Sequence, residues 1–325
     1  MFELTGFVDP MAVIRNYSDE DFPSLLRLWN RCLSYDALTA DRFRRRVLLD
    51  RNFDPEGLLL AFEESPAAPV GFVLCLVLRV PIEKTGLMEH RGFITAFGVA
   101  PEQRRKGLGR RLFEAAEGFF RKRNRKEIAI APYPPGYFIP GVDPDRHEGA
   151  IPFLEQQGYV AVSEAIAMDA LIAGLDFEAL LRKKEEDLRS EGIVVGPLEA
   201  ARTSGFLAFL KEHMPGDWIE DARRHLHAIA AGNAPEHSVY VAWVGDEIGA
   251  YCKFEGEHFG PFGVAETHQG RGIGHVLLGR TLEQMRREGL HAAYVLWTGE
   301  RAAKGVYGRL GFSETRRFIL MKREL

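Results

Sequence analysis

Two copies of one segment, held at a single offset, constrain this chain more than any other feature. FGVAPEQRRKGLGRRLF starts at Phe97 and FGVAETHQGRGIGHVLL at Phe262, 165 residues later. The offset aligns Arg104 with Gln269, Gly107 with Gly272, Gly109 with Gly274 and Leu112 with Leu277. Each half then closes on a glycine followed by an aromatic, in FLEQQGY (153–159) and VYGRLGF (306–312). The period is far too long for a solenoid repeat, so the pattern implies two tandem domains. A length of 325 residues carries the same prior.

The coarse reading of elements runs in parallel through the halves. Strands are expected at 12–17, 57–62, 70–80, 92–99 and 127–131, and helices at 25–33, 39–49 and 104–123. The second half repeats the order. Its strands fall at 193–195, 238–244, 247–254, 259–264, 291–297 and 312–322, and its helices near 199–213, 217–231, 270–288 and 301–309. Phe177–Ser190 is charge-rich with helical period and reads as a linker helix. The expected division is an arm at 1–11, an N-terminal domain at 12–173, the linker at 174–191 and a C-terminal domain at 192–325. Regular patterning starts only after Met11, so Met11 is an alternative start to an arm.

Composition removes several classes. At 46% hydrophobic and 27% charged the chain is neither disordered nor collagen-like. The longest apolar candidate, 70–80, is too short to cross a bilayer. The first eleven residues lack the basic and apolar regions of a secretory signal. Cys32, Cys75 and Cys252 have no metal or redox spacing and read as thiols in a reducing cytosol, so no metal site and a cytoplasmic location are expected. A net charge of −4 does not suit a nucleic-acid coat.

The chemistry lies in the repeated Arg/Gln-x-x-Gly-x-Gly. An apolar strand feeds a tight turn, glycines permit positive φ and close approach of a ligand, and a helix follows with unpaired N–H groups. That arrangement is an anion site suited to a pyrophosphate. Leu112 and Leu277 occupy the third glycine position of a dinucleotide fingerprint, and the Gly-Lys-Ser/Thr of a Walker loop is absent. Between Arg104 and Lys126 ten Lys or Arg face only Glu114 and Glu117. That cluster reads either as a phosphate patch or, for 121–126, as a solvated helix face.

VAPEQRRKGLG (99–109), VAETHQGRGIG (264–274) and YGRLGF (307–312) resemble the GNAT superfamily of acyl-CoA-dependent N-acyltransferases in its tandem form. The resemblance spans nearly the whole chain. It implies an α/β (α+β) fold of two domains, each a mixed, mostly antiparallel splayed sheet flanked by helices, with acetyl-CoA as donor. It implies that Phe262, Gly263 and Val264 pair with the pantetheine. It further implies that Gln269, Gly270, Arg271, Gly272, Ile273, Gly274 and His275 hold the pyrophosphate. The first-half counterparts are Phe97, Gly98, Val99, Arg104, Arg105, Lys106, Gly107, Leu108, Gly109 and Arg110.

Direct transfer to an amine needs a base, oxyanion donors and an acid for the leaving thiolate. No enzyme nucleophile is required, so Cys252 reads as a core thiol. The resemblance places the acid at Tyr307. Its first-half counterpart is Leu154, which cannot donate a proton, leaving Tyr133 or Tyr137 of the Pro-rich insert as substitutes. The C-terminal domain is therefore the expected catalytic half. His258, with Glu255 and Glu257 as rivals, is the candidate base; in a regular strand it would share a face with Val264, a parity that a bulge would change. Glu300 stands where relatives carry Asn. Asp217, Trp218 and Trp243 suggest an acceptor side suited to an ammonium and a sugar ring. The reading is transfer to a small-molecule amine, an amino sugar by preference, in a monomer or homodimer, with no nucleic acid and no membrane. Alternatives are a protein-lysine acetyltransferase, or a coenzyme-binding or interaction protein without turnover.

Overall fold

The computed structural model describes residues 12–63 and 68–325. The expected arm at 1–11 lies outside the described residues. The chain divides into two compact units. The N-terminal unit takes the chain to Pro81, then Gly86–Ser163 and Ile319–Leu325; the C-terminal unit takes Ile82–Thr85 and Glu164–Phe318. No single cut in the sequence separates them.

The N-terminal unit runs β1 (Val13–Asn16), α1 (Phe22–Cys32), α2 (Ala40–Phe43), β2 (Leu58–Phe62), β3 (Pro69–Leu76), β4 (Arg91–Val99), α3 (Leu108–Arg121), β5 (Glu127–Ile130) and α4 (Ala150–Gln156). Helix α1 starts where Asp21 accepts from the Ser18 amide at 2.9 Å, and it buries Leu25, Leu28 and Trp29 at helical spacing. The Thr39 hydroxyl caps α2 by accepting from Arg42 N. Strands β1 to β4 are antiparallel neighbours, and β4 and β5 are parallel. Helix α3 packs Leu112, Phe113, Ala116 and Phe120 into the core with Val73, Ile94 and Ile128.

The C-terminal unit repeats this order. Its strands and helices are β6 (Val160–Leu171), α5 (Phe177–Ser190), β7 (Ile193–Pro197), α6 (Thr203–His213), α7 (Gly216–Ala230), β8 (Val239–Val244), β9 (Glu247–Glu255), β10 (His258–Val264), α8 (Ile273–Arg287), β11 (Ala292–Thr298), α9 (Glu300–Ala302) and β12 (Ser313–Glu324). Strands β7 to β10 are antiparallel, β10 and β11 are parallel, and β11 pairs antiparallel with β6. The identical pairing sequence is the structural form of the 165-residue repeat.

Two strands change membership midway. β6 starts in the N-terminal unit and enters the C-terminal one at Glu164; β12 leaves the C-terminal unit at Ile319. The last residues of the chain thus complete the N-terminal sheet, with Met321 to Glu324 opposite Ile130 to Glu127. Met321 is 1% exposed in the N-terminal core, Lys322 pairs with buried Glu127 at 2.7 Å, and Arg323 pairs with Glu117. The sequence reading set no strand at β6. That strand shows five exposed positions and then four consecutive buried ones, so it lacks the alternation that marks a half-buried strand.

His225 on α7 is 3% exposed, with Nε2 2.8 Å from the Ser238 hydroxyl. Burial, then nearby Lys253, lowers its pKa from 6.5 to about 4. The unfolded chain therefore binds a proton below pH 6.5 that the folded chain refuses until about pH 4. Stability is flat above that window and falls through it by about 3 kcal/mol. Urea melts at pH 7, 5.5 and 4 should show this loss, and His225→Gln should flatten it. A second expectation concerns the exchanged strand: Met321→Ala should cost about 2–5 kcal/mol. Hydrogen exchange should place the lost protection in β4, β5 and α3, not in β10 and β11.

Candidate active site

Each sheet opens at its parallel pair. β4 and β5 are in register from Arg91 opposite Glu127 to Ile94 opposite Ile130, and there the pairing ends while β4 runs on to Val99. In the second unit β10 meets β11 at His258 opposite Tyr294, and β10 continues to Val264. A bulge sits at each parting point. The β3–β4 register steps from Leu74 opposite Ala96 to Cys75 opposite Ile94, leaving Thr95 as the extra residue. The β9–β10 register steps from Phe254 opposite Phe259 to Cys252 opposite Phe262, across a cis Gly260–Pro261 peptide. A bulge bends one strand away from its neighbour, so the edge beyond it keeps backbone groups that can pair with a ligand.

The repeated motif follows that edge. Arg105 and Gly107 have φ of 64° and 79°, and Gly270 and Gly272 have 80° and 87°. Left-handed residues alternating with ordinary ones turn successive N–H groups to one side, making an anion nest at the start of a helix. The helices begin at Leu108 and Ile273, later than the expected 104 and 270, because the nests, with their positive-φ residues, occupy 104–107 and 270–272, each following a 3-10 turn. The aligned Arg104 and Gln269 make equivalent bonds. Arg104 Nε donates to Val99 O at 3.0 Å, and Gln269 Nε2 donates to Val264 O at 3.2 Å. Each ties the turn back to the end of its strand.

The surroundings of the turns differ. In the N-terminal unit a cleft of about 870 Å³ runs along Ala96–Val99 and past Arg104, Arg105, Gly107, Gly109 and Arg110. Nothing lies within 4 Å of where a Cβ on Gly107 would stand. The basic cluster divides. Arg104, Arg105 and Arg110 line the cleft, whereas Arg121 and Arg123 pair with Glu117, Asp54 and Glu56. The deep end holds Thr95, 6% exposed, whose hydroxyl has no hydrogen-bond partner. Leu154, in the position of the expected acid, is fully buried. Tyr133 does not replace it: its hydroxyl donates to Asp50 at 2.8 Å and accepts from Asn52 at 2.6 Å, and its ring is 1% exposed.

In the C-terminal unit α5 lies over the turn. A Cβ on Gly272 would stand 2.1 Å from Lys184 Cε, Arg271 pairs with Glu191 at 2.6 Å, and His275 Nε2 is 3.5 Å from Leu180 O. Burial, the largest influence, lowers the His275 pKa. Tyr307 is 4% exposed among Phe259, Phe262 and Phe312, with ring centroids 5.7, 6.1 and 5.8 Å away. Burial pushes its phenol well above the ordinary value, against a hydrogen bond from Thr298. The phenol is thereby kept protonated at neutral pH, the state that a proton donor to a departing thiolate must start from. Cys252 is a fully buried thiol, pushed up to about 12 by burial. Glu300 is exposed and bonded to Arg317 at 2.8 Å and Lys304 at 3.0 Å.

The bulge decides the face of His258. Residues directly opposite in an antiparallel pair share a face. Phe259, Phe262 and Val264 oppose Phe254, Cys252 and Ala250 in the core beneath α8. His258 and Gly263 oppose Glu255 and Tyr251 on the other face, so His258 does not share a side with Val264 as a regular strand would require. A Cβ on Gly263 would meet Met214 Sδ at 2.6 Å and Trp218 at 2.9 Å, which puts the α6–α7 corner on this face. Glu255 and Glu257 are exposed.

That corner is held by Ile82–Thr85, which sequence reasoning missed. Lys84 Nζ donates to Glu212 O at 3.2 Å and Met214 O at 2.8 Å, closing the C-terminal carbonyls of α6. Lys211 pairs with Glu83 at 3.1 Å, and Glu83 O would stand 1.6 Å from a Cβ on Gly216. The four residues carry no period, and nothing local announces a tertiary partner. Gly216→Ala should therefore cost about 1–3 kcal/mol by displacing the corner, read as a lower urea midpoint, whereas Gly232→Ala should not move the corner.

Among the described residues no three His, Cys, Asp or Glu lie together as a metal site, and no helix is long and apolar enough to cross a membrane. Residues 22–159 match the model of the acetyltransferase (GNAT) family, and residues 235–314 match an acetyltransferase (GNAT) domain model. No protein of curated function matches the sequence. Among solved structures the chain is similar to a GCN5-related glucosamine N-acetyltransferase region of a fungal multi-domain GH3 β-N-acetylglucosaminidase. The identity is 20%, with 97% of this chain covered and a TM-score of 0.76, and this chain spans 38% of the fungal protein. It is similar to a GCN5-related N-acetyltransferase from Sphaerobacter thermophilus, at 18% identity over 96% of this chain and 95% of that one, TM-score 0.67. It is also similar to a tandem GNAT protein of the clavulanic acid biosynthesis pathway, at 15% identity, 97% and 98% coverage, TM-score 0.61.

Proposed function

Since this chain belongs to the GNAT family of acetyltransferases, we propose that it transfers an acetyl group from acetyl-CoA directly to the primary amine of a small molecule. We place the chemistry in the C-terminal unit. The observation that carries this is Tyr307, a buried phenol beside Phe262 on the strand that parts from its neighbour just before a glycine nest. The pantetheine pairs with the free edge of Phe262 to Val264, and the pyrophosphate sits on the N–H groups of 269–274. His258 stands at the parting point, on the face opposite Phe262, and serves as base for the incoming ammonium. The amine attacks the thioester carbon, the C–S bond breaks, and Tyr307 protonates the leaving sulfur. An amino sugar is the favoured acceptor. Carboxylate and aromatic groups on the α6–α7 corner support it, as does the likeness to the fungal glucosamine N-acetyltransferase region.

In the N-terminal unit the proposed role of the cleft is to bind coenzyme without turnover, because Leu154 offers no proton. One observation favours a second reading in which this cleft also turns over: the unpartnered Thr95 hydroxyl at its deep end. Tyr307→Phe decides between them. Turnover of acetyl-CoA with glucosamine, followed by thiol release, should fall about 10²–10⁴-fold in kcat with KM for acetyl-CoA little changed. Unchanged kcat in Tyr307→Phe, with loss in Thr95→Val, would move the chemistry to the N-terminal cleft.

A further inference from the structure

The 165-residue offset sets Thr95 against Gly260 and Ala96 against Pro261, so the two parting points carry different groups. In the C-terminal unit the bulge offers a glycine and a proline, neither with a side-chain donor. In the N-terminal unit the extra residue of the bulge is Thr95. It is 6% exposed, and its hydroxyl has no hydrogen-bond partner among the described residues. A hydroxyl in that state has lost its bonds to water without replacing them, and native folds seldom keep one without a reason. Thr95 also lines the cleft of about 870 Å³ that runs along β4 to the nest. Its neighbours there are Ile94 and Ile130, the last parallel pair, with Ala131 beyond them, and none brings a polar side chain.

We propose that the N-terminal cleft recognises the thioester of an acyl-CoA, the Thr95 hydroxyl donating to its carbonyl oxygen, and so binds acyl-CoA in preference to free CoA. The order of parts along the cleft supports this. A ligand with phosphates on the Arg105–Gly107 nest and amides along Phe97–Val99 runs back along β4 toward Thr95. From Val99 to Thr95 the strand covers roughly 13 Å. The end of the ligand that arrives at Thr95 is the thioester. In apolar surroundings a hydrogen bond to that carbonyl is stronger than in water. Free CoA ends in a thiol, a weak hydrogen-bonding partner, and leaves the hydroxyl poorly satisfied. Leu154, in the position that Tyr307 takes in the other unit, has no proton to give, so the thioester is held and not spent. The C-terminal unit is the reverse, with a phenol beside its parting strand and no hydroxyl at its bulge. This inference rests on the reading that the N-terminal cleft takes coenzyme without turnover.

Calorimetric titration of the full chain carrying Gly272→Glu, which leaves the N-terminal turn to be read alone, tests it. The probes are acetyl-CoA, CoA and S-ethyl-CoA, the last a thioether of the same length as acetyl-CoA with no carbonyl. Acetyl-CoA should bind at least fivefold more tightly than either of the others. Adding Thr95→Val should bring acetyl-CoA down to the level of CoA, with CoA itself changed less than twofold, and Thr95→Ser should restore most of the preference. Repeated without Gly272→Glu, Thr95→Val should weaken acetyl-CoA at one site and leave the other as it was. The inference is overturned if acetyl-CoA and CoA bind alike, if S-ethyl-CoA binds as acetyl-CoA does, or if Thr95→Val keeps the preference. Absence of binding by all three probes would instead overturn the coenzyme reading of this cleft, and the inference with it.

Discussion

The candidate site of each unit depends on a parallel strand pair that is made to part. A parallel pair buried between helices has no intrinsic reason to open. In both units it opens at a bulge, Thr95 in one and the Gly260–Pro261 step in the other. The bulge frees the backbone of one strand for a ligand, and the same strand then delivers the chain to the nest of N–H groups at a helix start. Strand edge and nest lie in line because they are consecutive in sequence. A linear ligand with amides in its middle and a pyrophosphate at one end matches that line.

The two units share this device and differ in what surrounds it. The N-terminal cleft is open beside Gly107, and its lining includes the unpartnered hydroxyl of Thr95. The C-terminal turn carries Lys184 across it and a phenol enclosed by three phenylalanines. The repeat thus gives one chain two copies of the strand edge and nest, with a buried phenol, Tyr307, beside one and a buried leucine, Leu154, at the equivalent place beside the other. Strand exchange adds a consequence. Glu127 and Glu117 of the N-terminal unit find cations in Lys322 and Arg323 at the far end of the sequence, so the stability of one half depends on residues encoded after the other.

Much of this was legible from local signals. The glycines of the turns are needed where φ is positive, and a strand before and a helix after completed the motif. Periodicity located α1, α5 and α8, because each buries one stripe of apolar residues. What stayed hidden was non-local. The first half of β6 alternates nothing, and no residue marks where β6 or β12 changes partners. Ile82–Thr85 has no period, yet Lys84 closes the end of α6. The face of His258 turned on a one-residue bulge, which flips every side chain before it. Thr95 read as an ordinary strand residue, because burial without a hydrogen-bond partner cannot be seen in a sequence.

The central claim is that the glycine turn of the C-terminal unit holds the reacting acetyl-CoA. Its most direct test is a calorimetric titration of acetyl-CoA into wild type, Gly107→Glu and Gly272→Glu, with turnover of the same samples measured alongside. The account predicts that Gly272→Glu loses one site together with all turnover, and that Gly107→Glu loses at most a site while turnover continues. Turnover that survives Gly272→Glu and disappears with Gly107→Glu would contradict it.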